Sequence, residues 1–184
     1  MKTPLSTPDE IQQQIWRELG RATLDRHHAW RTPVLATNGA DAIPQARTVV
    51  LREADSTVFS LRFYTDDRSS KVSELIAQPR ALLVFWSKRL SWQLRIKVLF
   101  TIHTTGHTVD SVWSRVSQSA TAADYLSARP PGTPLSASTP DLVPDKHHLA
   151  VMHAVVQEID WLELGKDGHR RARFNSKTWE WLVP

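Results

Sequence analysis

At 184 residues, with a net charge of +4, 41% hydrophobic and 23% charged residues, the chain has the make-up of an ordinary globular domain with enough apolar side chains for a core. It contains no cysteine, which excludes disulfides, thiolate metal centres and cysteine nucleophiles. The modest positive charge suits a small anionic ligand as readily as nucleic acid, and the longest apolar runs, near Ala81–Trp86 and Leu149–Val156, are too short to span a bilayer. Met1 to Asp9 is polar and proline-punctuated, unlike a secretory leader, so a cytoplasmic protein with no membrane partner is expected. Eight tryptophans are the unusual feature. Trp is large and carries a single N–H donor, so several are expected at an interface or against a flat ligand.

Thr7-Pro8-Asp9-Glu10 reads as a capping box with Pro at the first helical position, and Ile11, Ile15, Leu19 and Ala22 continue it as a helix to about His27. Thr32–Thr37 reads as a short strand and Asn38-Gly39 as a turn; Ala46–Glu53 and Val58–Tyr64 read as a hairpin around Ala54-Asp55-Ser56. A polar stretch then leads into a short helix with Val72, Leu75 and Ile76 on one face, stopped by Pro79. Arg80–Trp86 is a continuous apolar run. After it, Trp92, Leu94, Ile96 and Val98 alternate with Gln93, Arg95 and Lys97, the pattern of a half-buried strand. Val109–Leu126 is predicted helical with a break near Ser117, and the proline-rich segment Ala128–Asp145 an irregular loop. His148–Leu164 and His169–Phe174 form a hairpin around Gly165-Lys166-Asp167-Gly168, followed by a last strand or turn holding Trp179 and Trp181. Short strands joined by hairpins, with only peripheral helices, predict a mainly β protein of the α+β kind: one antiparallel barrel domain over residues 1–184.

Three clusters sit at element ends, where a scaffold presents ligand contacts. They are Arg47-Thr48-Val49-Val50-Leu51-Arg52, with a guanidinium at each end; Thr65-Asp66-Asp67-Arg68-Ser69-Ser70-Lys71, at a helix mouth; and Gln93 with Arg95. Each alone is ordinary surface charge. Three in consecutive elements of one small sheet point to a shared anionic ligand, and helix N–H groups with hydroxyls and cations suit a phosphate. His103 and His107 flank Gly106, which favours a turn over a helical zinc pair, and His27-His28 and His147-His148 read as solvated, so no metal site is expected. No glycine-rich nucleotide fingerprint, P-loop or serine-nucleophile elbow occurs. The basic residues form no continuous stripe, which argues against nucleic acid.

At these clusters the chain resembles the pyridoxamine 5'-phosphate oxidase family of FMN-binding split barrels. Arg47-Thr48-Val49-Val50-Leu51-Arg52, Phe63-Tyr64-Thr65, Ser69-Ser70-Lys71 and Gln93-Leu94 stand in the order and spacing of the family pattern. The resemblance implies an antiparallel split β-barrel working as a homodimer, with FMN at the subunit interface. It implies that Arg47, Ser70 and Lys71 hold the FMN phosphate. Thr48, Val49, Val50 and Thr65 would hold the ribityl chain and ring edge, and Gln93 would touch the isoalloxazine. Leu51, Arg52, Tyr64, Arg68 and Ser69 complete the implied cofactor set. Tyr125-Leu126-Ser127-Ala128-Arg129-Pro130-Pro131-Gly132-Thr133 resembles the family's substrate-phosphate stretch, so Tyr125, Arg129 and Thr133, with Arg52, are implied substrate contacts. His169 and Arg171 carry the residue types of the family's ring-binding pair in exchanged order; Trp161-Leu162 replaces its late Phe-Trp flavin contact, and Arg68 stands where Gly is usual. The implied activity is hydride transfer from a small phosphorylated substrate to FMN, with no side-chain catalytic residue assigned. The alternatives are an FMN-dependent reductase of another small molecule, or a flavin or haem carrier without turnover.

Overall fold

The computed structural model describes residues 7–134 and 146–184, so most of the predicted proline-rich loop lies outside the described residues. Helix α1 (Pro8–Leu24) starts on the expected capping box: Thr7 Oγ1 accepts from the Glu10 N–H, and the Glu10 carboxylate accepts from the Thr7 N–H. Ile11, Ile15, Leu19 and Ala22 are fully buried on one face. The helix ends before His27 because Asp25 is extended and its carboxylate accepts from the His27 N–H, a local bond that competes with another helical turn.

Nine antiparallel strands form one sheet among the described residues. They are β1 (Val34–Asn38), β2 (Pro44–Thr48), β3 (Leu51–Asp55), β4 (Ser60–Asp66), β5 (Arg80–Ser87), β6 (Trp92–His103), β7 (Leu149–Glu163), β8 (Arg170–Phe174) and β9 (Trp179–Leu182). The spatial order is β2-β1-β5-β6-β7-β4-β3, with β8 and then β9 added beside β7. The strand expected over Ala46–Glu53 is two strands. Val49-Val50 carries the chain from β2, paired with β1, to β3, paired with β4 at the opposite end of this order. Alternation predicts which face a strand buries, but partner choice is a tertiary matter.

Strand β7 divides its pairing. Its first half, Leu149–Val155, pairs with β4, and its second, Ile159–Glu163, pairs with β8; β6 runs along its other side, with a register shift between Lys97 and Val98. The alternation read on β6 holds: Trp92, Leu94, Ile96, Val98 and Phe100 are buried. They pack with Leu35, Leu51, Leu61, Phe63, Leu83, Phe85 and the apolar face of α1 in one core.

Helix α2 (Ser70–Ala77) buries Val72 and Leu75, whereas Ile76 is exposed, contrary to the face expected for it. The helix expected over Val109–Leu126 is α3 (His107–Val116) followed, after a turn at Ser117–Ser119, by a 3-10 segment at Ala120–Tyr125. Four tryptophans (Trp16, Trp30, Trp92, Trp161) are core residues, and Trp86, Trp179 and Trp181 are exposed, so only part of the Trp content is free for an interface. The His28 side chain is only 6% exposed and hydrogen-bonded to Glu18, not solvated as its position suggested.

Candidate functional site

Helix α2 begins where β4 ends, and it closes one mouth of the barrel against β1 and β6. Ser69 caps it without a side-chain hydrogen bond to the helix, which leaves its hydroxyl for other partners. Lys71 Nζ donates to Ser69 Oγ at 2.7 Å and to Thr65 Oγ1 at 3.0 Å. Burial pushes the Lys71 ammonium below its ordinary pKa, and the positive charge of Arg47 adds to that, while Glu74 and Asp66 pull the other way. Two partly buried cations, Arg47 and Lys71, therefore lie within electrostatic reach of each other beside two hydroxyls, at the helix end whose first N–H groups lack intrahelical acceptors. An anion placed here relieves both the repulsion and the desolvation. Ser70, the first residue of α2, is exposed at the same end.

Arg47 reaches this place from β2, opposite Leu35 of β1. Its Nη2 donates to Glu74 Oε2 at 2.9 Å, and its Nη1 donates to Thr37 Oγ1. Thr48 is exposed, whereas Val49 and Leu51 point into the core and can offer a ligand only backbone groups. Thr37 also lines an adjoining groove of about 520 Å³, floored by Ala36, Leu82, Lys97 and Leu99 of β1, β5 and β6. That volume lies in the range of small-ligand sites.

A second group stands on the other face of β4. Arg52, at the register shift between Leu51 and Glu53, lies over the Tyr64 ring at 5.7 Å, and its Nε is buried without a hydrogen-bond partner. Tyr125 is buried nearby: burial raises its phenol above the ordinary pKa, and Arg52 opposes that rise. Tyr64 donates to Glu53 at 2.8 Å, so this hydroxyl is already engaged. Arg68 grips Asp66 through two bonds, at 3.0 and 2.7 Å, and donates to the carbonyl oxygens of Ser127 and Ala128. It therefore straps the Tyr125 segment onto the α2 entrance. Arg129 lies beyond the 3-10 segment, which stops at Tyr125. The Thr133 hydroxyl closes its own turn on the Pro130 carbonyl oxygen.

The third group is Gln93, which pairs with Leu162 of β7, itself paired with Arg171 of β8, so all three share the sheet's outer face. Arg171 is held by Asp160 through bonds of 2.9 and 2.7 Å, and His169 is exposed in the preceding turn. Thr65 pairs with Ala150, next to Val151, which pairs with His103 at the far end of β6. Ten residues of β6 separate Gln93 from His103, roughly 33 Å of strand. One chain therefore gathers the phosphate-type residues and the Arg52–Tyr125 pair, and keeps Gln93 and Arg171 apart from both. Thr37, Glu74 and Asp160, which hold the predicted arginines, escaped sequence reading. Glu74 had a local signal, three residues after Lys71 on one helix face. The other two become neighbours of their arginines only through strand pairing. Among the described residues no three His, Asp or Glu cluster as a metal site, and no helix is long and apolar enough to cross a membrane.

The fold and this arrangement define an antiparallel split barrel with an anion-ready cluster beside a groove. Residues 13–104 match the family described as pyridoxamine 5'-phosphate oxidase, FMN-binding domain. The chain belongs to that family, and its cofactor is FMN. A pyridoxine/pyridoxamine 5'-phosphate oxidase of Acaryochloris marina is 35% identical over 77% of this chain and 56% of its own length. One from Thermosynechococcus vestitus is 49% identical over 34% of this chain and 29% of its own. The chain thus spans about half or less of these relatives. Among solved structures, a pyridoxamine 5'-phosphate oxidase-related FMN-binding protein of Nostoc punctiforme superposes with a TM-score of 0.73 at 23% identity, over 97% of this chain and 98% of that one. PhzG of Burkholderia lata, solved with tetrahydrophenazine-1-carboxylic acid, gives 0.72 at 18% identity, over 98% and 94%. Both share the fold. The residues fit FMN: a terminal phosphate matches Arg47, Lys71, Thr65 and Ser69, and the groove beside them has room for a flat ring.

Proposed function

We propose that the protein is an FMN-dependent oxidoreductase acting on a small phosphorylated substrate, as a cytoplasmic homodimer folded as a single domain. The observation that carries this reading is the pair of partly buried cations, Arg47 and Lys71, with the hydroxyls of Thr65 and Ser69 beside a groove of about 520 Å³. When bound, FMN supplies the hydride acceptor for an amine or alcohol carbon. The chain's own residues bind and orient. Arg47, Ser70 and Lys71 anchor the cofactor phosphate, with Thr65 and Ser69 fixing the ammonium; Thr48, Val49 and Val50, which follow Arg47 in the chain, offer backbone groups to the ribityl chain. Arg52 offers a buried Nε next to Tyr125 for a substrate anion, with Arg129 and Thr133 on the segment that follows.

The separation of Gln93 from the phosphate cluster supports a dimer, because a second copy is then needed to bring Gln93 and Arg171 to the flavin. Val34, Trp86 and Leu99 stand exposed on the outer face of β1, β5 and β6, an apolar surface such a partner would cover. Nucleic acid is not favoured, since Arg47, Arg68, Arg171 and Lys97 are paired with carboxylates.

One observation favours a second reading for the substrate. Arg171 is committed to Asp160 and His169 is exposed in a turn, so the pair that would hold a pyridine ring is not assembled as vitamin B6 chemistry requires. A reductase of another small molecule, or a flavin or haem carrier, is consistent with this. The test is to purify the protein, identify any yellow ligand by mass, and assay pyridoxamine phosphate oxidation. FMN with turnover supports the first reading; FMN without turnover moves the assignment to the second; a protein that cannot take up FMN overturns both.

A further inference from the structure

We propose that Glu74 is a positioning residue for the cofactor phosphate: by clamping one edge of the Arg47 guanidinium, it aims the remaining donors at the phosphate. This rests on the reading of Arg47 and Lys71 as the FMN phosphate site. Glu74 Oε2 accepts from Arg47 Nη2 at 2.9 Å and from Thr37 Oγ1 at 2.5 Å, and Thr37 Oγ1 in turn accepts from Arg47 Nη1. The three side chains close a ring that links β1, β2 and α2. The Glu74 side chain is only 10% exposed and that of Arg47 21%, so the contact is shielded from water rather than a loose surface pair. Thr37 is buried as well.

The geometry matters because Arg47 stands on β2 and Lys71 on α2, two elements that side chains of this ring link. A guanidinium has five donors in a rigid fork. Fixing Nη1 and Nη2 on the Glu74–Thr37 side removes the rotamer freedom that would otherwise be lost on binding, and leaves donors free on the other edge. A carboxylate near a phosphate also repels it. Glu74 already shares its charge with Arg47 and Thr37, so the fixed orientation is expected to outweigh that repulsion.

The experiment compares FMN and riboflavin binding to apoprotein by flavin fluorescence, for wild type, Glu74→Ala, Glu74→Gln and Thr37→Val. Riboflavin lacks the phosphate, so a positioning role changes the FMN-to-riboflavin affinity ratio, which a general loss of structure does not. Glu74→Ala should weaken FMN roughly tenfold with riboflavin unchanged, the scale of one charge-assisted hydrogen bond. Glu74→Gln, which keeps an acceptor, should recover part of this loss, and Thr37→Val should show a smaller loss confined to FMN. If Glu74→Ala does not fold, the Gln and Val variants carry the test. FMN affinity unchanged or tighter in the Glu74 variants, or equal losses for FMN and riboflavin, overturns the role of Glu74. A wild type that does not prefer FMN to riboflavin instead overturns the phosphate site itself.

Discussion

At the scale of single residues, the site is a balance between burial and charge. Lys71 is pushed toward its neutral form by burial and by Arg47, so a phosphate bound beside it gains from stabilising the ammonium in a partly dry setting. Arg47→Ala should weaken FMN binding by about 1.5–3 kcal/mol, the worth of hydrogen bonds to a charged group, read by titrating apoprotein with FMN. An unchanged affinity would show that β2 does not face the phosphate. Tyr64 offers a second test. Burial first, then its hydrogen bond to Glu53 and that carboxylate's charge, push its pKa from 10.0 to about 12. The pKa is raised on folding, so the associated stability is complete below pH 10 and is lost as pH rises through about 12. With only two tyrosines, the ultraviolet absorbance of tyrosinate can resolve this. Glu53→Gln should bring the Tyr64 titration back toward 10.0, and Tyr64→Phe identifies which step is lost.

At the scale of elements, α1 is held to the barrel by more than its apolar face. Glu18 is fully buried at the centre of a polar cluster: it pairs with His28 at 2.8 Å, Arg89 at 2.6 Å and Arg21 at 3.1 Å, and accepts from Gln14 at 2.8 Å. Arg89 lies in the turn between β5 and β6, so this carboxylate ties the helix to the far end of the sheet. Burial alone would raise the Glu18 pKa; the hydrogen bond to His28 and the charges of Arg89 and Arg21 more than offset it, and the net shift is downward from 4.5. Its stabilisation is therefore present above about pH 4.5 and is lost as pH falls through the lower folded-state value. Glu18→Ala should destabilise the fold by about 1–3 kcal/mol in denaturant unfolding, because it leaves the shielded His28 ring without its acceptor, whereas Arg21 and Arg89 are exposed enough to turn to water. A loss below about 1 kcal/mol would mean that water replaces the carboxylate at little cost. The capping box of α1 was legible because all its members lie within four residues. The Glu18 cluster was not, since Glu18 and Arg89 are 71 residues apart.

At the scale of the whole molecule, a homodimer is predicted. Gln93 and Arg171 on one part of the sheet and Lys71 on another cannot meet at one flavin within one chain, and the exposed Trp86, Leu99 and Val34 face supplies a surface to cover. Sedimentation should give twice the chain mass of 20.9 kDa, and Trp86→Glu should shift the protein toward monomer and weaken flavin retention together. A monomer that still holds FMN tightly would remove the reason for a shared site. The sequence by itself determined what depends on near neighbours: the α1 cap, the in–out alternation of β6, the β7–β8 turn, and the Ser69-Ser70-Lys71 helix entrance with its basic character. It also carried the family pattern from Arg47 to Arg95, because each of those motifs is a contiguous run of residues. Only the tertiary structure decided that Ala46–Glu53 is shared between two opposite strands, that Arg47 is met by Glu74 and Thr37 and Arg171 by Asp160, and that Gln93 stands far from Lys71 in one chain. Those facts follow from which strands pair and in what register, and pairing is selected by burial across the whole barrel rather than by any local run of residues.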